Sequence, residues 1–378
     1  MNVPFFDLHA QLAGIRSEIR TAIDDVIEST QYIGGPKLET LERTIANYSG
    51  AGHAIGVSSG TDALLASLMA LDVGHGDLVV TTPFSFFATA GVIARLGATP
   101  VFVDIDPVTY NMNPAALAQW FDEAIDCRGA VKAILPVHLF GQCADMGPIL
   151  KVASTQGVHV LEDAAQALGA EYPMDRGRAQ AGTMGLLGCF SFYPTKNLGG
   201  VGDGGMVVTD DATLAETLRR LRNHGVYRQS NHTIIGGNFR LDPIQAAVLL
   251  VKFRHLNAWQ VQRREHAAYY DDHLHVDGLV TPHVAYGRDC HTYSQYVVSV
   301  PERRDALRQW LSDHGVGTRV YYPMPFHEQT CFAGLGYVQG TFPHSEHAAR
   351  HTLALPVYPE LTPDMQDHVI EQIGAFFR

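Results

Sequence analysis

Short apolar runs rich in β-branched residues alternate with amphipathic segments of helical length from about residue 54 onward. Strands that alternate with helices indicate right-handed crossovers and a mostly parallel, doubly wound sheet, so the predicted fold class is α/β. Such sheets bind ligands at the carboxyl ends of their strands, where loops and helix N-termini meet. The predicted strands are 54–59, 78–83, 100–105, 131–138, 158–162, 188–193 and 205–209, and the helices between them are 61–73, 86–96, 114–124 and 145–156.

The pattern changes near residue 241, where one long helical stretch is predicted over 241–273. It is followed by apolar runs at 293–300 and 317–322 and by predicted helices at 303–314 and 362–377. We therefore predict a large α/β domain over residues 1–250 and a smaller C-terminal α+β domain over residues 251–378. Residues 1–15 are a segment that can pack on the small domain.

Composition narrows the classes of partner and compartment. The 378 residues have a formal net charge of −12 and no run of Lys or Arg, which disfavours nucleic-acid binding. The five cysteines are scattered and never spaced CxxC, so we expect neither a disulfide framework nor a zinc site. The first residues do not resemble a signal peptide, and no apolar run reaches the length of a membrane span. These features predict a cytoplasmic protein that binds no membrane.

The first candidate for chemistry is Lys196, which follows a predicted strand and precedes a glycine-rich stretch in CFSFYPTKNLGGVGDGG at 189–205. A lysine amine with a lowered pKa captures carbonyl groups and can hold a cofactor as a Schiff base. The ordinary alternative is a solvated loop lysine. The glycines could also be taken for a dinucleotide-binding loop, but they follow a lysine turn and do not lead from a strand directly into a helix.

A second candidate is Asp163 in VLEDAAQALGA, at the carboxyl end of an apolar strand. A buried carboxylate there is costly without a cationic partner, and the protonated pyridine nitrogen of pyridoxal phosphate (PLP) would be one. Gln166 could reach the phenolic oxygen of the same ring. Alternatively, Asp163 only caps the next helix.

Two further segments fit the same ligand. Small residues in VSSGTDALLASL at 57–68 end a strand and open a helix, so Gly60 and Thr61, helped by Ser191, are candidates to bind a phosphate. Phe86 lies just beyond another strand and could stack on a flat ring. Helix capping and core packing are the ordinary alternatives. A PLP enzyme of the aspartate aminotransferase fold type, unlike a nicotinamide-binding fold, requires both a strand-end Asp and a strand-end Lys in this order.

The chain resembles the DegT/DnrJ family of sugar aminotransferases nearly from end to end. The motifs of the resemblance are VPFFDL, YIGGP at 32–36, SSGTDAL at 58–64, PVHLFGQCADM at 136–146, EDAAQALGA, FSFYPTKNLG, GDGG, GGNFRLDPIQAA at 236–247 and RVYYPMPFH at 319–327. The resemblance implies PLP-dependent transferase fold type I. It also implies a homodimer in which the active site is shared between subunits.

The family's cofactor contacts correspond to residues of this chain. The resemblance places the Schiff base on Lys196, the pyridine-nitrogen partner on Asp163, the phenolic-oxygen partner on Gln166, the stacking ring on Phe86, and the phosphate contacts on Gly60, Thr61, Ser191 and, from the second subunit, Asn238. No metal is implied. Candidate contacts for the diphosphate, the sugar or the amino-acid carboxylate are Arg240, Arg319, Tyr322 and His327.

The implied reaction is a ping-pong transfer of the amino group of L-glutamate, through pyridoxamine phosphate, to a nucleotide-linked keto-sugar. The segments 222–225 and 236–250 and the triplet SQY favour a 3-keto over a 4-keto substrate. The chain departs from frequent family residues at Ser59, Leu168 and Ser294. The last two lie in or near the expected sugar pocket, so they affect the substrate's identity more than the reaction type.

Three alternatives stay open at the level of sequence. One branch of the family replaces the lysine with histidine and performs dehydration, which Lys196 disfavours. A non-enzymatic PLP-binding regulator would need a DNA-binding appendage, and the chain has no spare basic domain. Nineteen histidines suggest a metal enzyme, but no HExxH motif or close His/Cys spacing supports it.

Overall fold

The computed structural model describes residues 1–228 and 231–378. In chain order the strands are β1 (His53–Val57), β2 (Leu78–Thr81), β3 (Thr99–Phe102), β4 (Val131–Ile134), β5 (His159–Asp163), β6 (Glu171–Pro173), β7 (Arg178–Gln180), β8 (Leu187–Ser191), β9 (Gly205–Thr209), β10 (Val226–Arg228), β11 (Asn231–His232), β12 (Tyr296–Ser299) and β13 (Thr352–Leu355).

The helices are α1 (Leu8–Ala13), α2 (Arg16–Ser29), α3 (Pro36–Ser49), α4 (Gly60–Ala70), α5 (Ala88–Arg95), α6 (Pro114–Glu123), α7 (Met146–Gln156), α8 (Ala212–Leu221), α9 (Pro243–Phe253), α10 (Leu256–His273), α11 (Arg304–Asp313), α12 (Pro343–His351) and α13 (Pro363–Phe377). Short 3₁₀ turns lie at Arg128–Ala130, Leu139–Gly141, Arg288–Cys290, Phe326–Glu328 and Thr330–Leu335.

Within the described residues, the central sheet has seven strands in the order β1-β9-β8-β5-β4-β2-β3. Neighbours from β8 to β3 pair in parallel, whereas β9 runs antiparallel to both β1 and β8. The predicted α/β fold class with a mostly parallel sheet is confirmed. All seven predicted strands exist, although several end earlier than predicted, because the chain turns away at the carboxyl edge of the sheet.

Helices cover both faces of this sheet. One buried cluster includes Leu65 and Leu68 of α4, Ile93 of α5 and Leu218 of α8. The cluster on the opposite face includes side chains of α3, α6, α7 and α9. Because both faces are buried, the strands are apolar nearly throughout, as expected of parallel strands covered by crossover helices.

The C-terminal part has its own apolar cluster around β12 and β13, which pair antiparallel. The N-terminal segment contacts it, since the backbone N–H of Val3 donates to Gly315 O at 2.8 Å and that of Gly317 donates to Val3 O at 2.8 Å. The division of the chain at residue 250 stays a prediction. Among the described helices, none combines the length and the apolar character that a bilayer crossing requires.

One sequence prediction for this part was wrong. The stretch 241–273 forms two helices, because α9 ends at Phe253 and α10 begins at Leu256. The run 317–322 forms no strand and pairs only through an isolated bridge between Arg319 and Ala354. The partner of β12 is instead β13, which begins directly after α12 without the turn residues that normally announce a strand.

Candidate active site

A cavity of about 420 Å³ opens at the carboxyl edge of the central sheet. Its wall is formed by Ser59, Gly60, Thr61, Leu64, Ser85, Phe86, Ala88, Val137, Asp163, Ala165, Gln166, Ser191, Tyr193, Thr195, Lys196, Asp203, Gly204, Gln295, Tyr321 and Tyr322. The fold therefore brings eight of the residues predicted for the site into one wall: Gly60, Thr61, Phe86, Asp163, Gln166, Ser191, Lys196 and Tyr322.

Lys196 lies on a turn five residues beyond the end of β8. Its backbone N–H donates to Tyr193 O at 2.8 Å, and Gly199 packs so closely that an added Cβ would lie 2.3 Å from Pro194 O. Burial lowers the pKa of the Lys196 ammonium to about 8, and the attraction of Asp163 partly opposes this shift. Near neutral pH the neutral, nucleophilic amine is therefore much more populated than in an ordinary lysine, although the ammonium form still predominates.

Asp163 ends β5 with a buried carboxylate. Its Oδ2 accepts from Thr89 Oγ1 at 2.8 Å and its Oδ1 accepts from the backbone N–H of Ala165 at 3.2 Å. Burial raises the pKa of this carboxyl, while the two hydrogen bonds and the charge of Lys196 act in the opposite direction. Both hydrogen-bond donors are neutral. The carboxylate therefore fits a cationic group such as a protonated pyridine nitrogen.

Gln166 is held in one amide orientation. Its Oε1 accepts from the backbone N–H of Phe140 at 2.7 Å, and its Nε2 donates to the hydroxyl of Tyr322 at 3.0 Å. Phe140 adopts a left-handed φ of 61°, which directs its N–H toward Gln166. The second N–H of Nε2 is left as a donor that suits an oxygen acceptor on a bound ligand.

The N-terminus of α4 forms the anion-binding part of the wall. Ser59 caps the helix by accepting from the backbone N–H of Asp62 at 3.0 Å, which leaves the first-turn N–H groups at Gly60 and Thr61 for a ligand. An added Cβ at Gly60 would lie 2.7 Å from Ser191 Cβ. The small residue thus lets the helix end and the end of β8 approach one another, as a phosphate subsite requires.

Phe86 offers an aromatic face to the cavity. Its side chain is 58% exposed, and its ring centroid lies 6.3 Å from that of Tyr322. An exposed ring in a concave wall is suited to stack on a flat heteroaromatic ligand.

Four predicted site residues do not line this cavity. Asn238 is exposed, and Arg240 donates from Nη1 to Asn223 Oδ1 at 2.7 Å. Arg319 is exposed beside the ring of Phe5. His327 is buried, with its Nε2 3.1 Å from Glu346 Oε1.

His327, Glu328 and Glu346 have ligand-type atoms within 4.8 Å of one another. Glu346 Oε1 is also the acceptor for the backbone N–H of Gly340 at 2.6 Å, and Glu346 Oε2 lies 3.8 Å from Arg350. Glu346 is therefore already engaged by His327 and by the backbone of Gly340, and the cation of Arg350 lies beside it.

Several wall residues were missed at the level of sequence, among them Ser85, Tyr193, Asp203, Gln295 and Tyr321. Ser85 and Tyr193 follow the ends of β2 and β8, so the rule that ligands gather at the carboxyl edge could have indicated these two, whereas Asp203 lies just before β9. Gln295 and Tyr321 come from the C-terminal part of the chain, and no local pattern places them at this edge.

Comparison with known proteins decides the family. The profile of the DegT/DnrJ/EryC1/StrS aminotransferase family matches residues 14–374. The chain belongs to this family. The prediction of a PLP-dependent aminotransferase is thereby confirmed.

Relatives of known name cover almost the whole chain. The pleiotropic regulatory protein of Geobacillus stearothermophilus is 48% identical, with 100% of this chain and 99% of that protein aligned. The UDP-N-acetyl-3-dehydro-alpha-D-glucosamine 3-aminotransferase of Acidithiobacillus ferrooxidans is 43% identical, over 95% of this chain and 94% of that protein.

Solved structures agree with the fold. DesV from S. venezuelae, solved in complex with a ketimine intermediate, superposes with a TM-score of 0.92 at 38% identity, covering 100% of this chain and 99% of DesV. NtdA from Bacillus subtilis, solved with its bound cofactor PMP, superposes with a TM-score of 0.89 at 30% identity, covering 100% of this chain and 85% of NtdA.

Proposed function

We infer that this protein transfers the amino group of L-glutamate to the ketone of a nucleotide-linked sugar. The observation that carries the proposal is the shared wall of Lys196 and Asp163, a lysine with a lowered pKa and a buried carboxylate in one cavity. A helix N-terminus for a phosphate and an exposed ring for stacking lie in the same wall.

Different wall residues would contact different parts of the cofactor. We assign the phosphate to Gly60, Thr61 and Ser191, the ring face to Phe86, the pyridine nitrogen to Asp163 and the phenolic oxygen to Gln166. When bound, PLP supplies an aldehyde that condenses with amines and a ring that withdraws electrons from the reacting carbon.

Lys196 has two tasks in this proposal. It first holds the cofactor through its Nζ and is released when the amino acid arrives. The free Nζ then takes the proton from the α-carbon of glutamate. In the second half of the reaction it delivers a proton to the sugar carbon that bore the ketone. An amine that titrates near pH 8 can both accept and donate at the pH of a cell.

We favour a 3-keto over a 4-keto substrate. The name of the Acidithiobacillus ferrooxidans relative specifies an amino transfer at carbon 3 of a UDP-linked sugar. The relative named dTDP-3-amino-3,4,6-trideoxy-alpha-D-glucose transaminase, from Streptomyces venezuelae, is 40% identical and also specifies carbon 3. Tyr322 lines the cavity and is the remaining candidate for direct contact with the sugar.

A homodimer with a shared site is part of the proposal. Asn238 is exposed and lies outside the cavity of its own chain, which suits a contact to the phosphate bound by the second subunit. Arg240 and Arg319 lie outside the cavity as well. We propose that the diphosphate of the nucleotide extends out of the cavity and contacts them there.

A reverse assay tests the function. The enzyme is incubated with 2-oxoglutarate and a panel of 3-amino and 4-amino nucleotide sugars, with Lys196→Ala as the inactive control. We expect glutamate from a 3-amino sugar and none from the control. If glutamate forms only from a 4-amino sugar, the natural substrate is a 4-keto sugar and the preference for carbon 3 is wrong. No reaction with any sugar, together with turnover of simple amino acids, would refute the sugar substrate.

A regulatory role without catalysis is the second candidate. The observation in its favour is the name of the Geobacillus stearothermophilus relative. A regulator acting on DNA would need a basic surface, and the net charge of −12 disfavours one. Binding of duplex DNA at low salt by the cofactor-loaded protein would support this candidate.

A further inference from the structure

A chain of two hydroxyl groups leads from the cavity wall to the buried carboxylate of Asp163. Ser85 Oγ lies 3.0 Å from Thr89 Oγ1, and Thr89 Oγ1 donates to Asp163 Oδ2 at 2.8 Å. Thr89 is completely buried, and Ser85 is only 4% exposed although it lines the cavity.

The Asp163 carboxylate sets the donor and acceptor of each of these hydrogen bonds. An ionised carboxylate only accepts hydrogen bonds, so the single hydroxyl proton of Thr89 is committed to Asp163. The Thr89 oxygen is then the acceptor for Ser85, whose proton points away from the cavity. The oxygen of Ser85 is left to accept a hydrogen bond from the cavity side.

The same short segment also holds the stacking ring. Ser85 and Phe86 directly follow one another, and Thr89 lies in the first turn of α5. The position of the ring face and the position of the Asp163 carboxylate are thus set by one piece of backbone. Oδ1 of Asp163 has the backbone N–H of Ala165 as its donor, so Thr89 is the side-chain donor to this carboxylate.

We propose that Thr89 is a positioning residue that keeps Asp163 ionised and aligned toward the pyridine nitrogen of the cofactor, with Ser85 fixing the direction of its hydroxyl. This inference rests on the proposed pairing of Asp163 with the cofactor. Without the donated proton, a carboxylate in this apolar position is stabilised as the neutral acid. A neutral Asp163 cannot hold a proton on the ring nitrogen by charge.

The test uses holoenzyme reconstituted with PLP labelled with ¹⁵N at its ring nitrogen. The ¹⁵N chemical shift reports directly whether that nitrogen is protonated, and a titration gives the dissociation constant of PLP. Thr89→Val keeps the shape of the side chain and removes the hydroxyl. We expect the ¹⁵N shift to move toward the unprotonated value and the dissociation constant to rise roughly tenfold to a hundredfold, as for a lost hydrogen bond to a charged group. Thr89→Ser should restore both.

Thr81→Val is the matched control, because Thr81 is also completely buried but donates to Leu135 O at 2.8 Å and not to Asp163. It should leave the ¹⁵N shift unchanged. If Thr89→Val does not fold, Ser85→Ala should move the shift in the same direction by less. A wild-type shift in the variants, or an equal change in Thr81→Val, overturns the inference.

Asp163→Asn separates this inference from the proposed function. If Asp163→Asn changes the ¹⁵N shift and Thr89→Val does not, Asp163 pairs with the ring but Thr89 does not position it. If neither variant changes the shift, the pairing of Asp163 with the cofactor is refuted as well.

Discussion

His138 Nε2 lies 2.7 Å from Glu162 Oε2, and both side chains are completely buried behind the site. The backbone N–H of Ala144 donates to His138 Nδ1 at 3.0 Å, so Nε2 carries the proton and donates to the carboxylate. Glu162 accepts further hydrogen bonds from the backbone N–H groups of Gly182, Met184 and Gly185. Because Glu162 directly precedes Asp163, this network fixes the end of β5 from which the carboxylate proposed to bind the cofactor projects.

Glu162→Ala is therefore expected to destabilise the fold. It leaves three backbone donors and the imidazole of His138 without an acceptor, and each buried donor left unsatisfied costs about 1–3 kcal/mol. The free energy of unfolding measured in urea should fall accordingly. Lys37→Ala, which removes an exposed ion pair with Asp25, is the control and should not change it beyond experimental error. A wild-type unfolding curve for Glu162→Ala would show that the network does not support this edge.

The lowered pKa of Lys196 predicts the pH dependence of cofactor capture. The neutral amine is the nucleophile, so the rate at which the cofactor-free enzyme binds PLP covalently should rise with pH through a midpoint of about 8 and level off above it. An unperturbed lysine would place the midpoint near 10.4. Asp163→Asn should lower the midpoint further, because the carboxylate favours the ammonium form. Stopped-flow absorbance between pH 6 and 10 measures this rate, and a midpoint near 10 would contradict the assignment.

Phe86 and Phe87 form a matched pair for testing ring stacking. Phe86 faces the cavity, whereas Phe87 contacts the rings of Phe326 and Phe332 outside it. Phe86→Ala should weaken PLP binding by roughly threefold to tenfold, the contribution of one aromatic pair. Phe87→Ala should lower thermal stability and leave the affinity of the folded protein for PLP unchanged. Equal affinity losses in both variants would indicate a general packing defect.

Mixing two inactive variants tests whether Asn238 acts across a dimer. Lys196→Ala removes the proposed catalytic amine of one chain, and Asn238→Ala removes the proposed phosphate contact supplied by the other chain. If the site is shared, a mixed dimer contains one site that carries neither change, so co-expression should restore part of the activity. Separate tags on the two variants allow the mixed dimer to be purified. No activity in the mixed dimer would place Asn238 in its own chain's site, and a fully active Asn238→Ala homodimer would place it in neither site.

Sequence patterns predicted the sheet and much of its carboxyl edge for a physical reason. Buried parallel strands are apolar on both faces. Asp163 interrupts that pattern at the end of β5, and Lys196 follows on the turn beyond β8. The strand ends themselves were less well predicted, because 131–138 and 188–193 stay apolar after their last ladder pair.

The rest of the site depends on contacts between distant segments. Thr89 contacts Asp163 across 74 positions, and Gln166 contacts Tyr322 across 156. Neither spacing leaves a periodic signal in the chain. His327 shows the opposite case: its motif predicted a ligand contact, whereas the fold buries it against Glu346 and outside the cavity wall.

The covalent role of Lys196 is the central claim, and borohydride reduction tests it most directly. The cofactor-loaded enzyme is reduced, digested and analysed by mass spectrometry. We predict that the mass of one reduced cofactor is found on the peptide that contains Lys196, and that Lys196→Ala yields no labelled peptide. Attachment at another lysine such as Lys252, or no attachment in the wild type, would contradict the account.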